Sequence, residues 1–296
     1  MKIIDILNKR HTISFEIFPP KNKDTDLSSV YSTVDELAEL KPDFISVTYG
    51  AGGSTAKNTG PIASYIKNEK GIESVAHLSC IDATSDNLKV ILDDLKASNV
   101  ENVLALRGDY PKGYNIEESP LQFSYASDLT SFIKENYGDA FCVSGACYPE
   151  THFEAKSFKE DLANLKKKCD NGAEYLVTQI FYDNDYYYRL VREARKIGIN
   201  VPILAGIMPV TNAKGLRRTC EISNCSIPYR LSAMIDTFEG SDSAIREVGM
   251  TYATYQIIDL MTHGADGIHI YTMNKPENAK DILERLGSIR DEYTKG

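Results

Sequence analysis

Glu16 interrupts an apolar alternation, and it is the first place in the chain where residue type and spacing suggest chemistry. In Ser14-Phe15-Glu16-Ile17-Phe18-Pro19-Pro20, an extended strand puts Ile13, Phe15 and Ile17 on one face and Ser14 and Glu16 on the other, and the two prolines then end it. Burying a carboxylate is costly unless it is paired or kept protonated, and a carboxyl kept neutral is what a general acid requires. A structural glutamate bonded to a neighbouring strand is the competing role.

Comparable residues recur along the chain. Val-Thr-Tyr-Gly-Ala-Gly-Gly sets the hydroxyls of Thr48 and Tyr49 beside a glycine run that lets backbone approach a ligand closely. His77 and Ser79 share a face of Ala-His-Leu-Ser, although a lone histidine is as a rule a satisfied core residue. In Leu-Ala-Leu-Arg-Gly-Asp, Leu104 and Leu106 are expected to face out, leaving Arg107 and Asp109 on one face across Gly108. There the two can pair with each other, or the arginine can hold an anion while the aspartate faces a developing cation. Tyr148-Pro149-Glu150-Thr151-His152 and Thr178-Gln179 follow, the Gln179 amide being both donor and acceptor. Beyond Tyr148, Phe158, Leu162, Leu165 and Cys169 form the apolar stripe of a helix. Asp161, Asn164 and Lys168 form a polar line beside that stripe, a solvated face by default. Near the C-terminus Ile268 and Ile270 alternate with His269 and Tyr271, before Asn274-Lys275.

The elements that must carry these residues alternate. Strands are expected over 12–18, 43–49, 74–79, 102–108, 141–147, 174–181, 202–207 and 267–272, and helices over 27–40, 87–97, 126–136, 158–169, 185–196, 213–222, 244–261 and 278–286. Repeated β-α order predicts an α/β chain folded as a single eight-stranded parallel β/α (TIM) barrel over 1–296. No glycine-rich fingerprint follows the first strand, which counts against a dinucleotide-binding open sheet. Barrel chemistry sits at the C-terminal ends of the strands, where most of the residues above fall, so the pattern describes an enzyme mouth. Residues 208–242 read as an irregular insertion, and the first ten as a short helix plugging the barrel floor.

Composition narrows the function classes. A net charge of −9 opposes general affinity for nucleic-acid backbones or anionic membranes. Asp5 interrupts the N-terminal apolar stretch, and no apolar run approaches the roughly 20 residues of a membrane span, so a cytoplasmic protein is expected. The six cysteines include no C-x-x-C pair, which predicts separate thiols and no zinc or iron-sulfur site.

Seven stretches, in order, carry a resemblance: Ser-Phe-Glu-Ile-Phe-Pro-Pro-Lys, Ser-Val-Thr-Tyr-Gly-Ala-Gly-Gly, Ala-His-Leu-Ser-Cys-Ile-Asp-Ala-Thr, Leu-Ala-Leu-Arg-Gly-Asp, Tyr-Ala-Ser-Asp-Leu, Tyr-Pro-Glu-Thr-His and Thr-Gln-Ile-Phe-Tyr-Asp. Across nearly the whole chain they resemble the methylenetetrahydrofolate reductase family, in its bacterial form without the regulatory domain of animal relatives. The resemblance implies a flavoprotein that uses FAD to reduce 5,10-methylenetetrahydrofolate to 5-methyltetrahydrofolate by ping-pong hydride transfer, with electrons from NADH or NADPH. It makes Glu16 the general acid that protonates the folate nitrogen, opening the ring to an iminium cation, and Asp109 the carboxylate that stabilises that cation. Thr48, Tyr49, Ala51, His77, Arg107, Gly108, Asp109, Ala126, Tyr148, His152, Ala155, Asp161, Asn164, Lys167 and Lys168 match flavin-contacting positions. Gln179 matches a residue shared by folate and nicotinamide, and Tyr271 and Lys275 complete the folate side with Asp109.

The pattern departs where some relatives carry a folate-contacting Gln and a stacking Phe, since Gly215 and Thr219 stand there. Lys275 offers a point charge where an arginine fork is common. These departures keep a second reading open, a flavin subunit fed by an electron-transfer protein partner. A homo-oligomer is expected on the same resemblance. A Schiff-base lyase on this barrel is disfavoured, because Lys21 and Lys112 fall in loops and not at inward strand positions.

Overall fold

The computed structural model describes residues 1–20, 26–49, 56–81, 83–110 and 121–295. Eight strands close into a parallel barrel in sequence order: β1 (Thr12–Ile17), β2 (Phe44–Val47), β3 (Glu73–Ser79), β4 (Asn102–Leu106), β5 (Cys142–Cys147), β6 (Tyr175–Thr178), β7 (Ile203–Ile207) and β8 (Gly267–Tyr271). The helices are α1 (Ile3–Leu7), α2 (Ser28–Glu39), α3 (Ala56–Glu69), α4 (Ser85–Ala97), α5 (Ala126–Tyr137), α6 (Phe158–Asp170), α7 (Asn184–Lys196), α8 (Ala213–Ser223), α9 (Tyr229–Thr237), α10 (Asp242–Thr262), α11 (Pro276–Leu286) and α12 (Ser288–Thr294). None among the described residues is long and apolar enough to cross a membrane.

Local sequence sets the helix starts. The side chains of Thr84, Ser157, Asn212 and Ser241 accept backbone N–H bonds at the starts of α4, α6, α8 and α10, each such cap contributing about 1 kcal/mol. Pro276 opens α11 where its missing N–H costs nothing, and Gly287, at φ 49°, ends it.

Each strand is buried on both faces. Ile13, Phe15, Ile17, Val103, Ala105, Ile268 and Ile270 join the core between barrel and helices. Inside the barrel, Phe44, Val75, Leu104, Cys142, Tyr175 and Leu204 pack with Ile3 of α1, the expected floor plug. The Ile3 N–H donates to Asn102 Oδ1 at 2.8 Å, which ties α1 to the start of β4. Full burial of an isoleucine contributes about 1.5–3 kcal/mol, so the plug is an integral layer of the barrel.

Two sequence expectations are corrected. Leu104 and Leu106 face into the barrel and pack with the floor cluster, while Val103 and Ala105 face the helices. Polarity cannot separate the two faces of a strand that is apolar on both. Residues 208–242 are not irregular either, because α8 and α9 occupy most of them and build a satellite core with Leu216, Leu231, Ile235 and Ile245. Helix α3 was hidden by Gly60-Pro61. It persists through Pro61 because Ile62, Ala63 and Ile66 are buried against the barrel.

Candidate active site

Above the apolar floor the barrel interior becomes polar. Strand register sets Glu16 level with Ser46 of β2 and Tyr271 of β8, and Ser14 level with His269. Glu16 is only 7% exposed. Its Oε2 lies 3.4 Å from Ser46 Oγ, 3.4 Å from His77 Nε2 and 3.6 Å from His269 Nε2. Burial lowers the pKa of His77 from its ordinary value; the Glu16 charge opposes that shift and His269 adds to it. His77 is therefore neutral at pH 7, and its contact with Glu16 is polar but not an ion pair. Its Nε2 makes no hydrogen bond among the described residues, and neither does the buried Thr48 Oγ1. Two unsatisfied polar atoms at the top of the barrel are what a ligand-facing surface leaves when drawn from the protein side alone.

Tyr271 closes the opposite wall. Its hydroxyl donates to the Thr178 carbonyl at 2.7 Å, and burial, helped by the Glu16 charge, raises its pKa well above the ordinary phenol range. Gly206 makes room for this ring, since a Cβ there would sit 2.7 Å from Tyr271 Cε2 and 2.4 Å from Thr178 O.

At the end of β4 the chain turns sharply. Gly108 adopts φ 89°, and a Cβ on it would lie 2.0 Å from Ser79 Oγ, which itself donates to the Arg107 carbonyl at 2.8 Å. With Leu104 and Leu106 facing in, the alternation carries Arg107 towards the outer flank before the turn is reached. Its guanidinium forms a two-pronged pair with Glu154, Nη2 to Oε1 at 2.8 Å, and lies 5.3 Å from the Tyr110 ring centre. Asp109 is exposed just beyond.

Arg107 borders a cleft of about 490 Å³ between the ends of β4 and β5 and helices α5 and α6. Lys168 reaches into it across Gly145, where a Cβ would lie 2.4 Å from Lys168 Cδ, and its Nζ donates to the Ala146 carbonyl. Burial lowers the Lys168 pKa and raises that of Asp161, which accepts the His152 N–H at 2.8 Å. Burial, with Asp161 adding to it, pushes the Tyr148 phenol up to about 12. Tyr125 and Phe153, 64% and 60% exposed, present rings near the cleft, Phe153 stacked on His152 at 4.6 Å.

The structure thus sorts the expected residues into two groups. Arg107, Ala126, Tyr148, His152 and Ala155 line the cleft, as do Asp161, Asn164, Lys167 and Lys168 of α6. Glu16, His77 and Tyr271 gather in the barrel centre. Gln179 ends β6, its Oε1 accepting the Ile180 N–H at 2.9 Å. Thr48 and the half-buried Tyr49 follow β2, burial raising the Tyr49 phenol. Lys275 is exposed at the start of α11, and Gly215 and Thr219 sit on α8, with the Gly215 N–H held by Asn212 at 2.7 Å. Ala51, Lys21 and Lys112 lie outside the described residues. All six cysteines are free thiols.

Sequence reasoning missed Ser46 and His269 as neighbours of Glu16, and Glu154 as the partner of Arg107. Inward alternation on β8 marked His269 as facing the interior, but only the register shows which interior residues it meets.

The cleft fits a dinucleotide cofactor. Arg107 and Lys168 are two basic groups spaced along it, an anion opposing the downward shift that burial imposes on Lys168, and exposed rings stand ready to stack on a heteroaromatic base. Thr48 Oγ1 and His77 Nε2 provide free polar atoms towards the barrel centre.

Known proteins resemble this chain along nearly its whole length. A family profile described as methylenetetrahydrofolate reductase matches residues 2–287. The chain is 38% identical over 275 residues to the 5,10-methylenetetrahydrofolate reductase of Escherichia coli, covering 93% of this chain and 90% of that protein. It is also 38% identical over 304 residues to methylenetetrahydrofolate reductase (NADH) 1 of Arabidopsis thaliana, covering 98% of this chain but 51% of that one. The chain therefore spans about half the length of its plant relatives. A Clostridium thermocellum protein solved with two copies of 5-methyl-5,6,7,8-tetrahydrofolic acid shares the fold, with a TM-score of 0.69 at 17% identity over 97% of this chain and 98% of that one. With the profile spanning nearly every residue, this chain belongs to the methylenetetrahydrofolate reductase family.

Proposed function

We propose that the protein is a flavin-dependent oxidoreductase that converts 5,10-methylenetetrahydrofolate to 5-methyltetrahydrofolate, with FAD in the cleft and NADH or NADPH as reductant. The observation that carries this reading is Glu16, a carboxyl 7% exposed at the C-terminal end of β1, beside a neutral histidine and a polar barrel mouth. A carboxyl in such surroundings can deliver a proton to a substrate nitrogen, and the adjacent histidine, its pKa lowered by burial, competes only weakly for that proton.

The roles of the other residues follow from their placement. Arg107 and Lys168 hold the cofactor diphosphate, Tyr125 and Phe153 offer surfaces for its base, and Thr48 and His77 supply hydrogen bonds nearer the barrel centre. Bound FAD supplies the hydride. Asp109, exposed at the rim of β4, offers a fixed negative charge to the iminium cation that forms once Glu16 has given up its proton. Gln179 and Tyr271 shape the pterin end of the folate pocket. The NADH in the name of the Arabidopsis relative supports NADH as the first reductant to try.

The test is anaerobic. NADH or NADPH should bleach the flavin of the loaded protein, and methylene-folate should then restore its colour. Glu16→Gln should keep the bleaching and slow the return by about two or more powers of ten. Undiminished folate turnover in that variant would remove Glu16 from the acid role. Failure of both nicotinamides to bleach the flavin would point instead to an electron-transfer protein partner.

A further inference from the structure

His269 is 1% exposed and held in a fixed plane, with Phe44 stacked on it at 5.9 Å and Tyr271 edge-on at 5.4 Å. The titratable groups around it are Glu16 of β1, His77 of β3 and Tyr271 of its own strand. Its Nδ1 lies 2.8 Å from Ser14 Oγ, whereas that hydroxyl is 3.3 Å from its other acceptor, the Ile268 carbonyl. If the serine proton goes to the shorter contact, the ring proton is left on Nε2; in the reverse arrangement Nδ1–H donates to Ser14 and Ser14 to the Ile268 carbonyl. Nε2 is 3.3 Å from Ser46 Oγ, and Ser46 Oγ is 3.4 Å from Glu16 Oε2. On the first assignment Ser14 donates to His269, His269 to Ser46, and Ser46 to Glu16.

We propose that Ser14, His269 and Ser46 form a one-way row of donors ending on Glu16 Oε2, with His269 as the positioning residue that sets where the acid proton sits. With Oε2 committed as an acceptor, the transferable proton resides on Oε1, and the carboxylate left after transfer is already stabilised. The inference rests on the acid role given to Glu16 above.

Two measurements test it. Histidine ¹⁵N spectra of the whole protein, which has five histidines, should show His269 as the Nε2–H tautomer, and Ser14→Ala should loosen that preference. An Nδ1–H tautomer in the unaltered protein overturns the row. The second is the pH profile of flavin reoxidation by methylene-folate. His269→Phe ends the row at Ser46, so the alkaline limb of this profile should move up by about one pH unit, a tenfold change at fixed pH, and by less in Ser14→Ala. Flavin reduction by nicotinamide should keep its rate in both. Profiles that superimpose on the unaltered protein reduce His269 to packing. If these profiles superimpose while Glu16→Gln is inactive, the row fails and the acid role stands; if Glu16→Gln keeps folate turnover, both fall.

Discussion

Replacing Gly108 by alanine should damage the protein in two separable ways. A side chain at φ 89° adds backbone strain of about 1–2 kcal/mol. The new Cβ would also sit 2.0 Å from Ser79 Oγ and 2.9 Å from Ile81 Cγ2, so the serine must turn away and give up its bond to the Arg107 carbonyl. That bond contributes about 0.5–1.5 kcal/mol, and the total comes to about 1.5–3.5 kcal/mol. For a chain of this length the melting temperature should fall by about 2–6 °C. Gly71→Ala is the control for strain alone, since Gly71 has φ 66° and nothing within 4 Å of its added Cβ. Adding Ser79→Ala to Gly108→Ala removes a hydroxyl whose bond to the Arg107 carbonyl is already broken, so it should lower the melting temperature little further. Thermal melts of the four proteins, with flavin retention measured on each, decide the matter. A Gly108→Ala melting temperature within about 1 °C of the parent would refute the claim that this turn has no room for a side chain.

Asp109→Asn should retain FAD yet reduce methylene-folate more slowly, and an unchanged single-turnover rate would rule out the cation-stabilising role. For His77, burial depresses the folded-state pKa below the ordinary 6.5. Below that pH the unfolded chain takes up a proton that the folded one resists, so stability is lost as pH falls from about 6.5 towards the lower folded value. His77→Gln should flatten this slope between pH 7.5 and 5.5 in denaturant midpoints, and equal losses in both proteins would contradict it.

Much of the barrel could be read from the sequence because β1 and β8 place polar residues on only one face, so Glu16, His269 and Tyr271 declared their direction. Val103-Leu104-Ala105-Leu106 gave no such sign, since floor and outer core both demand apolar side chains. Inverting those faces moved Arg107 outward, and the turn at Gly108 compounded this, because a positive φ redirects Asp109 in a way no alternation rule contains. The Arg107–Glu154 pair joins residues 47 positions apart and left no local trace. The α6 line of Asp161, Asn164 and Lys168 looked solvated by pattern, and Asn164 is indeed exposed. Lys168 is drawn inward because Gly145 leaves space for its stem.

The floor that α1 completes also shapes the electric field of the site. Ile3, Phe44, Val75, Leu104 and Leu204 present a layer of low polarisability beneath Glu16, with little to answer a charge appearing above it. Field lines from an ionised Glu16 are therefore crowded upward through the strand ends, where they meet whatever occupies the mouth. A cation formed there would feel the carboxylate more strongly than the same pair would in water. By closing one end to solvent, five residues at the start of the chain act on chemistry that takes place at the other.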